Sequence, residues 1–303
     1  MKEYYKKQVN LLLEILDIAL DDQRFALKGG TAINLFYRDM PRYSVDIDLC
    51  FLPIEDRQTT FNDMHAILRK IKSDLERKRK LKVNTSKPLD GKEEAKMMVI
   101  KDDVQIIIEP NYVLRGSLFD TENKKLSVKA EEEFNKSLSV QCLSFADLYG
   151  GKLCAALDRQ HPRDFFDIKF LFENEGITAD ILKAFVVYLA CHDRPMHELL
   201  SPKRLDIRPV FENEFAGMTD RPVTCEELEA VRERLVSGIE TGLTDAERNF
   251  LVSMKQGEPK WDLLGLPGIE RLPALQWKLE NIRKMEKAKR DLMADRLKRA
   301  LKS

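Results

Sequence analysis

Two aspartates, Asp46 and Asp48, stand one residue apart in the run Ser44-Val45-Asp46-Ile47-Asp48-Leu49. Side chains of an extended strand alternate between faces, so both carboxylates point one way while Val45, Ile47, Leu49 and Phe51 point the other. Like charges on one strand face repel and are poor strand formers. A bound divalent cation removes that objection. Mg²⁺ takes hard oxygen ligands, keeps several waters, and shares one or two protein carboxylates with substrate phosphates. Glu109, at the end of the apolar run Ile106-Ile107-Ile108, is the best placed third metal acid, with Ile107 and Gln105 on its face. Taken alone, the pair also reads as a solvated edge strand.

Upstream lies Lys28-Gly29-Gly30-Thr31. Two glycines let a backbone approach a ligand closely, and a helix starting there offers free N–H groups and a positive dipole end to a phosphate. Thr31 adds a hydroxyl and is the expected helix cap. A tight turn with a capped helix accounts for the same residues without any ligand. A phosphate cradle followed, across one helix, by a metal-binding acid pair is what nucleotidyl transfer requires: triphosphate held, metal bridging, acceptor hydroxyl in line.

A second group falls further along. Helical projection puts Lys152 on a largely apolar stripe with Phe145, Leu148, Tyr149 and Ala156. Such a lysine either snorkels to a rim or aims its charge at phosphate. Gly150-Gly151 favours the second, because each helix-interior glycine costs about 1 kcal/mol relative to alanine and calls for a compensating close approach. Asp164 and Asp167 are helical neighbours in Arg163-Asp164-Phe165-Phe166-Asp167. Asp164 suits a helix N-terminus. Asp167, beside Ile168 and Leu171, needs a partner among Lys152, Arg159 and Arg163, so a structural ion pair is the alternative to a catalytic role.

The elements that must position these groups follow from periodicity and turn residues. Leu11 to Leu20 reads as a helix, Phe25 to Lys28 as a short buried strand, Thr31 to about Arg38 as a helix, and Tyr43 to Phe51 as the acid strand. A charged helix spans about Gln58 to Lys80. Met97 to Lys101 and Val104 to Pro110, joined by Asp102-Asp103, suggest a hairpin. Leu138 to Leu143 adds a strand, Ser144 opens a helix to about Gln160, and Pro162 starts another. Helical periodicity dominates from about Thr178. The expected organisation is α+β: a domain over residues 1–175 with a mixed sheet and flanking helices, then a helical domain over 176–303.

Composition narrows the partners. The 303 residues carry a formal net charge of zero with 43% hydrophobic content, so a sizeable core is expected and any pull on nucleic acid must come from local patches. Two such patches exist. Arg77-Lys78-Arg79-Lys80 is the densest part of one, and Arg283, Lys287 and Arg290 belong to the other; either could contact RNA phosphates or simply be a solvated helix face. Five scattered cysteines without a CxxC pair argue against a disulfide framework or zinc site and fit a cytoplasmic protein. Glu14 and Asp17 interrupt the first apolar run, which is an amphipathic helix rather than a signal peptide or membrane span. His65, His161, His192 and His197 lack metal-ligand spacing and carry no assigned role.

Lys28-Gly29-Gly30-Thr31-Ala32, Arg42-Tyr43-Ser44-Val45-Asp46-Ile47-Asp48-Leu49, Ile108-Glu109-Pro110-Asn111-Tyr112, Lys152-Leu153-Cys154-Ala155-Ala156 and Arg163-Asp164-Phe165-Phe166-Asp167-Ile168 together resemble the AbiEii-type nucleotidyltransferase toxins. These belong to type IV toxin–antitoxin systems and to the DNA polymerase β-like superfamily. The segment Leu272 to Ile282 is similar to the C-terminal part common in that group. The resemblance implies a polymerase-β-like core and a helical C-terminal domain. It also implies a nucleoside triphosphate donor, transfer to the acceptor end of tRNA, and an antitoxin partner. Lys28, Gly29, Gly30 and Thr31 would then hold triphosphate, Asp46 and Asp48 the metal, and Lys152 phosphate, while Asp167 would act as base or orienting acid. An adenylyltransferase acting on a protein or an antibiotic-like hydroxyl, and a silent binding protein keeping the fold, are the competing classes. The acid pair disfavours the last, and the basic patches favour RNA over a small molecule.

Overall fold

The computed structural model describes residues 2–302. Its internal contacts gather into two compact units, one of Met1–Ser144 with Gly217–Arg221, the other of Phe145–Ala216 with Pro222–Ser303. The division thus falls before the Lys152 helix, which sequence grouped with the acid strand.

The first unit runs α1 (Lys2–Ala19), β1 (Phe25–Lys28), α2 (Gly29–Ala32), β2 (Asp46–Phe51), α3 (Arg57–Lys78), β3 (Lys82–Thr85), β4 (Met97–Lys101), β5 (Val104–Asn111), β6 (Glu122–Lys125), α4 (Val128–Phe134) and β7 (Ser139–Cys142). The seven strands make one mixed sheet in the order β3-β4-β5-β2-β1-β7-β6. β2 lies near its middle, antiparallel to β1 and parallel to β5. Central position explains the burial of Phe25, Ala26 and Leu27 on β1 and of Ile47, Leu49 and Phe51 on β2. Phe25 and Phe51 meet edge to face across the pair with centroids 5.5 Å apart.

The expected strands and the β4–β5 hairpin are present, its turn carried by Asp102 at φ 51°. β3, β6 and α4 carry no periodic signal. Val83 is the one buried residue of β3, and β6 reads Glu-Asn-Lys-Lys, so pairing at the two sheet edges makes these strands rather than their composition. The helix start also differs from expectation. It begins at Gly29, with extended Lys28 in the cap position and no side-chain cap, and runs on through a π-helical turn over Ile33–Tyr37. Thr31 is inside the first turn because its hydroxyl is used elsewhere, as described below.

Two ties fix the strands that flank the acid pair. The returning segment Gly217–Arg221 braces the chain entering β2: Tyr43 N–H donates to the Met218 carbonyl at 2.7 Å, and Thr219 Oγ1 to the Pro41 carbonyl at 2.8 Å. On the other side, fully buried His65 of α3 accepts from Gly91 N–H through Nδ1 at 2.8 Å. That bond puts the ring proton on Nε2, 3.0 Å from the Tyr112 hydroxyl just after β5. Tyr112 in turn bonds the Ala95 backbone. The role of His65 is therefore structural and invisible to metal-spacing arguments.

Burial is the main cause holding all four imidazoles below their ordinary value, His65 among them. The folded state disfavours their protonated form, so stability is full above the unfolded value of about 6.5 and falls as pH drops toward the folded values. The melting temperature is expected to fall between about pH 7 and 5. His65→Gln should flatten that dependence, which thermal melts across the range will read; an unchanged slope would remove His65 from the account.

The second unit is helical: α5 (Phe145–Arg159), α6 (Pro162–Glu173), α7 (Ala179–Cys191), α8 (Met196–Leu200), α9 (Arg208–Val210), α10 (Cys225–Gly242), α11 (Asp245–Gln256), α12 (Pro273–Arg283) and α13 (Lys287–Ala300). Thr224 and Thr244 each close a full capping box at the starts of α10 and α11. The five cysteines are free and buried.

Candidate active site

β2 presents Asp46 and Asp48 on its half-exposed face, with Ile47 and Leu49 fully buried behind. Asp48 pairs in register with Lys28 of β1 on one side and with Glu109 of β5 on the other, and Asp46 pairs with Ile107. The sheet therefore sets Lys28, Asp48 and Glu109 in a row across three neighbouring strands. Glu109 is exposed, and its carboxylate lies 3.9 Å from Lys96 Nζ. Among the described residues, no three His, Cys, Asp or Glu side chains gather closely enough to hold an ion. Two hard carboxylates on the half-exposed strand face suit a cation that completes its shell with water and phosphate.

The glycine turn is pressed against this face. Gly29 adopts φ +72°, and a β-carbon there would stand 2.1 Å from Asp48 Oδ2. Only glycine fits, by conformation and by space. Thr31 is fully buried, and its Oγ1 donates to the Asp46 carbonyl at 2.5 Å and lies 3.0 Å from Ser44 Oγ. Its hydroxyl thus locks the turn to the acid strand. Asn34 Nδ2 holds the Gly30 carbonyl at 3.0 Å. Buried Arg42 and Ser44 complete the packing around Gly30, and neither carried a role in the sequence reading, although both sit in the quoted acid-strand motif.

In the helical unit, Lys152 Nζ lies 2.9 Å from Asp164 Oδ1 and 3.0 Å from Asp167 Oδ2, with both aspartate side chains wholly buried. Arg159 adds Nε to Asp164 Oδ2 at 2.6 Å and Nη2 to Oδ1 at 2.8 Å. Burial pushes the Asp164 carboxyl up, but Lys152 and Arg159 outweigh it and hold the group well below the usual carboxylate range. Lys152 therefore does not snorkel, and Asp164 does more than favour a helix end: buried Lys152 and exposed Arg159 together compensate two buried carboxylates.

The neighbouring glycines differ from each other. A β-carbon at Gly150 would meet Ala184 Cβ at 2.5 Å and the Ala184–Phe185 backbone at 2.8 Å, so its close approach is to α7. At Gly151 it would meet nothing within 4 Å. Gly150→Ala should destabilise by about 1–3 kcal/mol through overpacking, and Gly151→Ala should stabilise by about 1 kcal/mol through helix propensity. Denaturant melts of the two variants check this, and a stabilising Gly150→Ala would contradict it.

The basic patches are partly neutralised. Arg77 and Lys78 both pair with Asp74, and Arg79 pairs with Asp17, whereas exposed Lys80 has a left-handed backbone at φ 57°. Arg283 Nε donates to the Gly257 carbonyl at 3.1 Å, where its charge favours the C-terminal end of α11. Lys287 is exposed at the start of α13. No described helix is long and apolar enough to cross a membrane.

The model of the family described as nucleotidyl transferase AbiEii toxin, type IV toxin–antitoxin system, matches residues 10–281. Among solved structures, MenT4, a nucleotidyltransferase toxin from Mycobacterium tuberculosis H37Rv, is similar in fold. The TM-score is 0.59 at 15% identity, over 90% of this chain and 92% of that one. No curated protein matches the chain in sequence. Because the matched span takes in the glycine turn, the acid strand and the Lys152 cluster alike, the chain belongs to the AbiEii nucleotidyltransferase toxins of type IV toxin–antitoxin systems.

Proposed function

We propose that this nucleotidyltransferase moves a nucleoside monophosphate from a triphosphate to the 3′ end of an RNA, tRNA foremost, with Mg²⁺ held by Asp46 and Asp48. The family implies a triphosphate donor, a divalent metal and an antitoxin partner. The observation that carries the finer reading is the seat of the Asp48 carboxylate against Gly29, which puts a carboxylate oxygen beside the turn proposed to take the phosphates. Magnesium would supply charge neutralisation at the transferring phosphoryl group.

This chain's own residues do the rest. Lys28, in register with Asp48, offers a cation, and the N–H groups at the start of the Gly29–Tyr37 helical segment offer donors to the triphosphate. Thr31 keeps the turn and acid strand in fixed relation. Glu109, the expected third acid, stands in register with Asp48 but its side chain does not gather with the pair, so the two aspartates are the proposed donor set. Lys152 is proposed for phosphate, with Asp167 as the orienting acid or base. Arg77, Lys78, Arg79, Lys80, Arg283, Lys287 and Arg290 are the proposed RNA contacts, of which exposed Lys80 and Lys287 suit the role best. The proposed setting is the cytoplasm, where tRNA is available.

Incubation with each α-labelled triphosphate in turn, Mg²⁺ and total tRNA tests the proposal. Label is expected on intact tRNA and not on tRNA whose terminal diol has been oxidised with periodate. Label appearing only on protein or a small molecule would exclude the RNA acceptor and leave the enzyme class standing.

A further inference from the structure

We propose that Arg42 is the positioning residue of the nucleotide-binding turn, and that position 30 is glycine in order to seat its guanidinium. The proposal rests on the reading that this turn takes triphosphate.

Gly29 needs to be glycine for its backbone conformation alone, but Gly30 has no left-handed φ. Conformation therefore does not explain the second glycine; its surroundings do. A β-carbon at Gly30 would lie 2.8 Å from Arg42 Nη2, 3.0 Å from Ser44 Oγ and 3.7 Å from Arg42 Cζ. An arginine head group on the surface would swing aside from such a contact. Arg42 is only 4% exposed, and its Nη1 donates to the Tyr43 carbonyl at 2.9 Å, so its fork is held in place. The Tyr43 backbone is itself fixed through the Met218 carbonyl.

The consequence is a fixed cation whose Nη2 end faces the backbone of the turn, while Asn34 grips the Gly30 carbonyl. A guanidinium there adds positive potential to the backbone N–H groups without being a mobile surface charge. It also sets the turn's shape, since the contact between Gly30 and the fork is one of van der Waals fit. Lysine, a point charge on a flexible stem, would keep the sign of the field and lose the fixed contact of the fork with the turn.

A double-mutant cycle tests this with Gly30→Ala, Arg42→Ala and the pair, read by melting temperature without nucleotide and by affinity for inorganic triphosphate with Mg²⁺. Gly30→Ala is expected to lower the melting temperature by several degrees and to weaken triphosphate binding tenfold or more. In the Arg42→Ala background, the same change should have little further effect on either. If Arg42→Ala does not fold, Arg42→Lys takes its place in the cycle, and it should raise KM for the nucleotide while leaving kcat near the parent value. Independent, additive effects in a parent that binds triphosphate would overturn the role of Arg42 while leaving the nucleotide reading intact. A parent that binds no triphosphate would remove that reading, and this proposal with it.

Discussion

Asp48→Ala is expected to lower kcat/KM by about a thousandfold or more while leaving the melting temperature close to that of the parent. A metal ion at a transferring phosphoryl group supplies several kcal/mol of charge stabilisation, and each 1.36 kcal/mol is a factor of ten in rate. The fold should not suffer, because Asp48 lies on the half-exposed face of β2, with Ile47 and Leu49 supplying the buried side. Its removal also relieves a like-charge neighbour in Asp46 and frees space against Gly29. Asp48→Asn, which keeps the shape and loses the charge, should be as inactive. Steady-state kinetics beside thermal melts check both variants; an active, well-folded Asp48→Asn would show that shape rather than charge is at work.

Lys152→Ala is expected to have the largest effect on stability. Lys152 and Arg159 balance Asp164 and Asp167, and both carboxylates are fully buried. Removing the lysine leaves an uncompensated charge in the interior, which costs about 3–5 kcal/mol and corresponds to a melting shift of about 10 °C for a unit of this size. Replacing the ammonium with an alkyl group does not help, so Lys152→Met should fall nearly as far. The Lys152→Ala loss should shrink toward acid pH, where a carboxylate can protonate in place of the missing cation. Calorimetry at several pH values reads this. A variant that melts with the parent would contradict the structural duty assigned to Lys152.

The acid strand and its glycine turn were legible in sequence because strand alternation and glycine chemistry are local. Asp46 and Asp48 share a face as alternation requires, whereas Glu109 falls beside Asp48 through the parallel pairing of β5 with β2. What sequence could not supply were partners brought from a distance. Thr31 looked like a cap until its hydroxyl met the Asp46 carbonyl across the turn. Lys152 stood among the possible partners of Asp167, and that pair forms, but its second partner Asp164 looked like a helix-end charge only. Gly150-Gly151 looked like one feature and is two, since only Gly150 faces a neighbouring helix. The basic patches show the same limit from the other side: composition counted Arg77, Lys78 and Arg79 as available charge, and folding pairs them with Asp74 and Asp17.

The central claim is that Asp46 and Asp48 hold the metal that serves the triphosphate. Anomalous diffraction from crystals soaked with Mn²⁺ and a non-hydrolysable triphosphate analogue tests it most directly. The expected result is a manganese peak ligated by both carboxylates, with analogue phosphate density at the Gly29–Gly30 turn. A peak ligated elsewhere, or bound analogue with neither aspartate touching metal, would contradict it.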